Sequence, residues 1–565
     1  MRNNEGLNEK RRKKIKLIRN ICIILVSLAI IAVILKLAPD YMRDEITDRT
    51  NLIINNNNVT SSLRHDIYID EKNIIYIAKE DIDNFFDRYI YYDKKNNQII
   101  TTYDTKIASI KLGENEINLN GKDIDISGTA IKKDDTIYLP FSEMCSVYNI
   151  ELEYIKDQDA VTVDSLDREL INSYISKKTN VKYKKRVLSR TVDKLDKGEV
   201  VVVVSTYEDG WAKVRTTRGK IGYIKQSNLG NTVQVRSKTE DKKVIEGKVN
   251  LIWDYYSEYV TAPNRTGSTI EGVNVVSPSF FSLVKLGQGD IIDNVGEEGK
   301  QYIEWAKDND YKIWAMFSNN SMKETTSEIL NNYSLRQKTI ENIVDLAIKY
   351  ELDGINVDFE HIYMEDKDMY SRFLIELAPR LREHGKALSV DVTAPDGAED
   401  WSLCFDRNVI GHVSDFIIFM AYDQHGSSST EAGTVAGHDW VEVNIKKFIN
   451  QEAVPKEKIV LGIPFYTRLW KEVNGQLVES STVDMKDVDK VIPQGIEKRW
   501  EDEVKQNYIE YSRENAVFKM WIEDIESIRA KLSLVNKYEL AGVAFWEKDR
   551  ETENIWSVIK EQLDI

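Results

Sequence analysis

One alternation runs from residue 246 to residue 565, and it restricts the possible folds more than anything else in the chain. Short apolar runs at 249–253, 273–277, 313–317, 355–359, 388–392, 416–420, 459–463 and 541–545 are separated by stretches of helical periodicity. Parallel strands need long crossovers and cover on both faces, so eight strand–helix units are best satisfied by an α/β fold, a closed (β/α)8 TIM barrel. The helices carry their own punctuation. Ser334-x-x-Gln337 reads as a capping box opening a helix over 335–350, with Ile340, Ile343, Val344 and Ala347 on one apolar stripe. Gly385 reads as the end of the next helix. The interval from Tyr466 to Leu540 is longer than one barrel unit requires, which predicts an inserted subdomain beside the rim.

The fourth strand carries the densest chemistry: Asp353-Gly354-Ile355-Asn356-Val357-Asp358-Phe359-Glu360. Side chains alternate along a strand, so Asn356, Asp358 and Glu360 share one face, the inward one in a barrel. Glu360 falls at the C-terminal end, where barrel enzymes build their sites. Two carboxyl groups two residues apart cannot both ionise cheaply, so one should hold its proton near neutral pH and serve as an acid. On the fifth strand, Ser389, Asp391 and Thr393 alternate. They either line the pocket or fill the barrel as a polar layer. Gln424 and His425 read as loop residues.

This pattern resembles glycoside hydrolase family 18, whose fourth strand reads Asp-x-x-Asp-x-Asp-x-Glu. The likeness extends over 246–565. Tyr422-Asp423 after Phe419-Met420 is similar to the family's sixth-strand Met-x-Tyr-Asp, and Trp546 to its eighth-strand Trp. One position departs: Asn356 stands where the family has its second Asp. An amide there can accept a hydrogen bond from Asp358 but cannot hold a proton. The segments 520–528 and 540–546 resemble the spore-cortex-lytic, peptidoglycan-directed branch. The resemblance implies a retaining, substrate-assisted glycosidase without cofactor. In that mechanism Glu360 is the acid and Asp358 orients the 2-acetamido group, whose oxygen Tyr422 binds, while Asp353, Asn356, Asp423 and Trp546 contact substrate. Asp423 could instead hold Tyr422 or Arg468 in place. The expected partner is peptidoglycan or another N-acetylglucosamine-containing glycan, cleaved at β-1,4 bonds after N-acetylglucosamine. A chitinase and a non-catalytic glycan-binding surface protein are the alternatives.

Upstream, residues 1–20 hold eight Lys/Arg against two Glu, while the whole chain carries −16. The remaining body is therefore strongly acidic and unsuited to nucleic acid. Apolar residues at 21–38 predict a transmembrane helix, with 1–20 cytoplasmic and everything beyond Pro39 outside. A cleaved signal peptide is the rival reading, but Leu35-Lys36-Leu37-Ala38 lacks a small-x-small site. Residues 39–62, with Asn55 to Asn58, read as a flexible stalk. Residues 63–168 read as a small α+β domain, in which Ile137-Tyr138-Leu139-Pro140-Phe141 resembles the copper amine oxidase N-terminal-like domain. Residues 181–236, with Gly210-Trp211 and Gly219-x-x-Gly222-Tyr223, resemble the bacterial Src homology 3 barrel. Trp211 and Tyr223 fit either core or ligand platform. A charged linker is expected at 239–243. Three cysteines far apart and six histidines without ligand spacing predict neither a disulfide framework nor a metal site.

Overall fold

The structure is a computed structural model and describes residues 2–42, 49–239, 243–257 and 259–563. It divides into two units, residues 1–101 with 109–241, and residues 102–108 with 242–565. The expected linker at 239–243 and stalk at 39–62 fall partly outside the described residues, at 240–242 and 43–48.

In the second unit eight strands form the barrel: β1 (Val249–Asp254), β2 (Val275–Pro278), β3 (Lys312–Ser318), β4 (Gly354–Asp358), β5 (Ala387–Val392), β6 (Phe416–Met420), β7 (Ile459–Pro464) and β8 (Gly542–Trp546). All pair in parallel in the order β2-β1-β8-β7-β6-β5-β4-β3, and β2 pairs with β3 to close the ring. Each strand begins and ends within two residues of its sequence-based expectation. Both parities are buried, which explains the continuously apolar strands. Leu251, Trp253, Trp314, Met316, Ile418, Val460 and Ala544 pack together in one core. Ile252, Phe317, Ile355, Val357 and Leu388 are inaccessible on the other side. Closure depends on glycine at one seam: a Cβ on Gly542 would stand 2.0 Å from the Val249 carbonyl oxygen, too close for β8 to pair with β1.

The helices are α1 (Gly296–Asp308), α2 (Lys323–Asn331), α3 (Tyr333–Lys349), α4 (Lys367–Glu383), α5 (Arg407–Val413), α6 (His438–Asn450), α7 (Ile525–Tyr538) and α8 (Ile555–Leu563). The stripe Ile340, Ile343, Val344 and Ala347 on α3 is buried as expected. Its cap differs: Asn332, not Ser334, accepts from the Ser334 and Leu335 amides. Gln337 is drawn away because it donates to Glu376 at 2.7 Å, beside the buried bidentate pair of Arg336 with Glu376. After α4, Gly385 takes φ +65° and its amide donates to the Arg382 carbonyl at 2.9 Å, so the helix stops there. The expected insertion is a five-stranded antiparallel sheet in the order Gln476–Asp484, Tyr466–Val473, Ala516–Ile522, Gln506–Arg513, Arg499–Glu501. It has its own core of Val483, Val488, Ile509, Met520 and Ile522.

In the first unit the helix Arg2–Met42 contains a stretch, Lys10–Ile34, long and apolar enough to cross a membrane. The stalk expectation fails at its C-terminal half. Asn51–Ile54 is a strand paired in parallel with Ala160–Val163 and antiparallel with Asn57–Asn58. Asn55 and Asn56 both adopt positive φ (46° and 66°). What looked like a polar spacer is a tight hairpin turn, for which two adjacent asparagines are well suited. The boundary between the small domains also moves. Leu170–Ile175 joins the seven-stranded sheet otherwise built from 179–236, and Ile175 enters its core with Val181, Val201 and Val214. In that sheet Trp211 is 6% exposed and Tyr223 half-buried.

Candidate active site

Alternation along β4 sends Asn356 into the barrel interior and brings Asp358 and then Glu360 to its C-terminal mouth. Glu360 lies two residues past the strand, and Asn319, one residue past β3, fixes the backbone there. Asn319 accepts from the Glu360 amide at 3.0 Å and donates to the Glu360 carbonyl at 2.8 Å, while also donating to Thr326 Oγ1 at 3.0 Å. Asn319 is fully buried, so this two-point clamp is shielded from water. Sequence reasoning missed it because nothing in the local run of polar residues 318–321 marks one asparagine as inward-facing.

Asn356 is fully buried and hydrogen-bonded to side chains of three other strands. Its Oδ1 accepts from Trp253 Nε1 at 2.8 Å and from Ser277 Oγ at 3.1 Å. Its Nδ2 donates to Asp391 Oδ1 at 2.7 Å. Indole N–H can only donate, so the amide orientation is determined by this network. Two expectations are corrected here. Asn356 is not hydrogen-bonded to Asp358, whose Oδ1 is shut away from solvent without any partner, and it is not at a substrate-facing surface. Asp391, in the set left open between pocket lining and filler, is buried at 1% exposure, bonded to the Asn356 amide.

The electrostatics follow from this crowding. Burial first, and Asp391 second, push the Asp358 carboxyl well above the usual carboxylate range. Burial, followed by the charges of Asp358 and Asp423, pushes Glu360 up to about 8. Asp391 is raised by burial and by Glu360, against the stabilising bond from Asn356. The first cause of these shifts is desolvation rather than the pairing of two acids on one strand, and the acid that presses on Asp358 comes from the neighbouring strand.

Tyr422 and Asp423 follow β6. Burial raises the Tyr422 phenol far above its ordinary value. Its ring meets that of Tyr466 edge-on, with centroids 6.3 Å apart. Asp423 takes φ +56° and accepts from Tyr466 Oη at 2.7 Å, so it holds Tyr466 rather than Tyr422 or Arg468. Trp546 ends β8, stacked edge-on to Trp253 at 5.8 Å, with the exposed Tyr255 ring 6.1 Å away. The peptide between Trp546 and Glu547 is cis. Asp353 is corrected outright: it sits before β4 at the opposite, N-terminal end of the barrel. There it accepts from the Ile313 amide at 3.0 Å and pairs with Lys312 at 2.9 Å, a joint between strands rather than a substrate contact. Among the described residues no group of three or more His, Cys, Asp or Glu side chains is arranged to hold a metal ion.

A closed barrel with half-buried acids at the C-terminal mouth of β4 is the arrangement of a TIM-barrel hydrolase of glycosidic bonds. Residues 251–551 match the Glycosyl hydrolases family 18, and the chain belongs to that family. It is 26% identical over 302 residues, covering 51% of this chain and 84% of the relative, to the uncharacterized glycosylase YvbX of Bacillus subtilis. It is also 26% identical over 254 residues to the cortical fragment-lytic enzyme of Bacillus anthracis, covering 44% of this chain and 58% of that protein. Among solved structures, the chitinase of Chromobacterium violaceum shares the fold at TM-score 0.50 and 24% identity, over 56% of this chain and all of that one. The chain is thus a family 18 glycosidase whose sequence relatives include cortical fragment-lytic enzymes and chitinases.

Proposed function

We propose that this protein is a membrane-anchored N-acetylglucosaminidase of peptidoglycan that works by a retaining, substrate-assisted mechanism. The observation that carries the reading is that the two carboxyl groups at the mouth of β4 are both held toward their protonated forms, Glu360 up to about 8 and Asp358 well above its usual range. A carboxyl group that keeps its proton is an acid, not a nucleophile. The attacking group must then come from elsewhere, and a 2-acetamido carbonyl on the sugar supplies it.

In this scheme Glu360 gives its proton to the glycosidic oxygen as that bond breaks, and the acetamido oxygen closes on C1 to form an oxazolinium ion. Asp358, half-buried at the mouth with its Oδ1 turned away from solvent, accepts the acetamido N–H through its other oxygen. Tyr422 donates to the acetamido oxygen, and Trp546 offers an apolar floor to the sugar face. Glu360, now ionised, takes a proton from the incoming water, which opens the ring with retained configuration. Asp423 acts through Tyr466 at the edge of the pocket.

The choice of peptidoglycan is supported by the likeness to cortical fragment-lytic enzymes and by the apolar stretch Lys10–Ile34, read as an anchor with the basic terminus inside and the barrel outside. We also propose that the two small upstream domains, the second resembling a bacterial Src homology 3 barrel, hold the barrel near the wall. Both peptidoglycan sugars bear 2-acetamido groups, but muramic acid adds a lactyl carboxylate and peptide beside Asp358 and Glu360. That like charge disfavours it in the cleaved position. Borohydride reduction of a digest of purified peptidoglycan should yield N-acetylglucosaminitol, and recovery of mainly muramitol overturns the assignment. Likeness to the chitinase fold favours one second reading, which gains if chitin oligomers are cleaved and peptidoglycan is not.

A further inference from the structure

Asp391 is a third carboxyl group in the interior that the mechanism above does not use. Three features of its setting are unusual for filler. It is 1% exposed, it sits on β5 directly beside β4, where Val357 registers with Val390, and its carboxylate accepts from the amide of Asn356 at 2.7 Å. That contact occupies Asp391 Oδ1 as an acceptor. The other oxygen, Oδ2, is therefore the one that can carry a proton. The register of β4 and β5 places Asp358 as the next residue facing Asp391, and Asp358 Oδ1 is buried with no partner. Asn356 cannot turn to serve Asp358, because its oxygen is taken by Trp253 and Ser277.

We infer that Asp391 is a positioning residue for the reacting carboxyl groups: it shares one proton with Asp358 across the β4–β5 seam, moving to the fifth strand the acidic partner that Asn356 cannot be. The inference rests on the proposed roles of Asp358 and Glu360. Three carboxyl groups then hold two protons, one on Glu360 and one within the Asp358–Asp391 pair. When Glu360 passes its proton to the leaving oxygen, the pair neither gains nor loses one. The new Glu360 carboxylate meets a pair of charge −1 instead of −2, and Asp358 keeps an oxygen free to accept the acetamido N–H. The directions of the three titrations agree with this count, since burial and mutual repulsion raise all of them.

The test uses the detergent-solubilised full chain and needs no substrate in its first arm. Infrared difference spectra at neutral pH report buried protonated carboxyl groups directly. The wild-type protein should show two such bands, and Asp358→Asn and Asp391→Asn should each remove the same one while leaving the Glu360 band, which Glu360→Gln removes. Asp391→Asn preserves shape and can still accept from Asn356, so loss of the Asp358 band in that variant reports loss of the shared proton and not of the fold. Detection of both aspartates fully ionised in the wild type at neutral pH overturns the proposal without any variant having to fold. In a second arm, hydrolysis of a chromogenic N-acetylglucosamine oligomer should show kcat lowered tenfold or more in Asp391→Asn with KM little changed, a tenfold step matching one pK unit of lost coupling. Restoring an acid at the neighbouring site, in Asn356→Asp combined with Asp391→Asn, should recover rate and the shared-proton band together. Equal rates for wild type and Asp391→Asn also refute the inference. Failure of the wild type to cut peptidoglycan, with the infrared result intact, instead counts against the substrate reading alone.

Discussion

Replacing Glu360 with glutamine should destroy activity and strengthen the fold, and both follow from one displaced titration. In the unfolded chain a glutamate loses its proton near 4.5, whereas in the barrel burial and the charges of Asp358 and Asp423 hold it to about 8. Between those values the folded state binds more protons than the unfolded one, so stability falls as pH rises from about 4.5 and levels off above 8. The interval corresponds to on the order of 4 kcal/mol of stability lost by the alkaline end. Glutamine has no proton to lose, keeps nearly the same shape and removes the like charge facing Asp358. Glu360→Gln should therefore match wild type below about pH 4.5 and exceed it by a few kcal/mol near pH 8. Turnover should fall by roughly 10²–10⁴, the usual loss for a general acid–base group. Calorimetric unfolding across that pH range, run beside reducing-end release from purified peptidoglycan, measures both. Activity above about a tenth of wild type, or a stability profile parallel to wild type at every pH, would falsify the reasoning.

Three further outcomes are expected. Asn319→Ala removes both hydrogen bonds to the Glu360 backbone and should lower kcat by ten- to a hundredfold at little change in KM, since small misplacement of a reacting group is costly; an unchanged kcat means the clamp is dispensable. A thiazoline mimic of the oxazolinium ion should inhibit competitively and far more tightly than N-acetylglucosamine, whereas isolation of a sugar ester on a carboxylate would point to a protein nucleophile. Protease added to intact cells should digest the region after Pro39 and spare the basic residues 10–16; release of a soluble form starting near Pro39 would show that the apolar stretch is a cleaved signal.

How much of this was legible in the sequence depended on whether a feature was local or shared between strands. Strand positions were readable because both faces of a parallel barrel strand are buried, so the apolar run itself marks the strand, as at Phe416–Met420. The inward direction of Asp358 and Glu360 needed only the period of two. The N-terminal cap of α3 was misread because Ser334 and Gln337 have capping-box spacing, whereas Asn332 takes the Ser334 and Leu335 amides and Gln337 is bonded to Glu376 on the neighbouring helix. The stalk was misread for a related reason. Asn-rich segments look disordered by composition, but Asn55 and Asn56 adopt the positive φ that a hairpin needs once Leu52 and Ile53 are buried against the strand at 160–163.

Asp353 and Asp391 show where motif reasoning stops. A family pattern assigns equal weight to each of its letters, yet Asp353 sits at the bottom of β4 bonded to the Ile313 amide, seven residues before Glu360 at the mouth. In this chain it joins β3 to β4, and Asp353→Ala should accordingly act on folding. Asp391 lies outside the pattern, thirty-five residues from its partner Asn356, and only the lateral pairing of β4 with β5 brings them within 2.7 Å. A single asparagine in the fourth-strand motif therefore reads as a defect only while the strand is considered alone. In the closed barrel the same asparagine is the donor that orients a third buried acid. The number of carboxyl groups available to share protons at the mouth is set by two strands together.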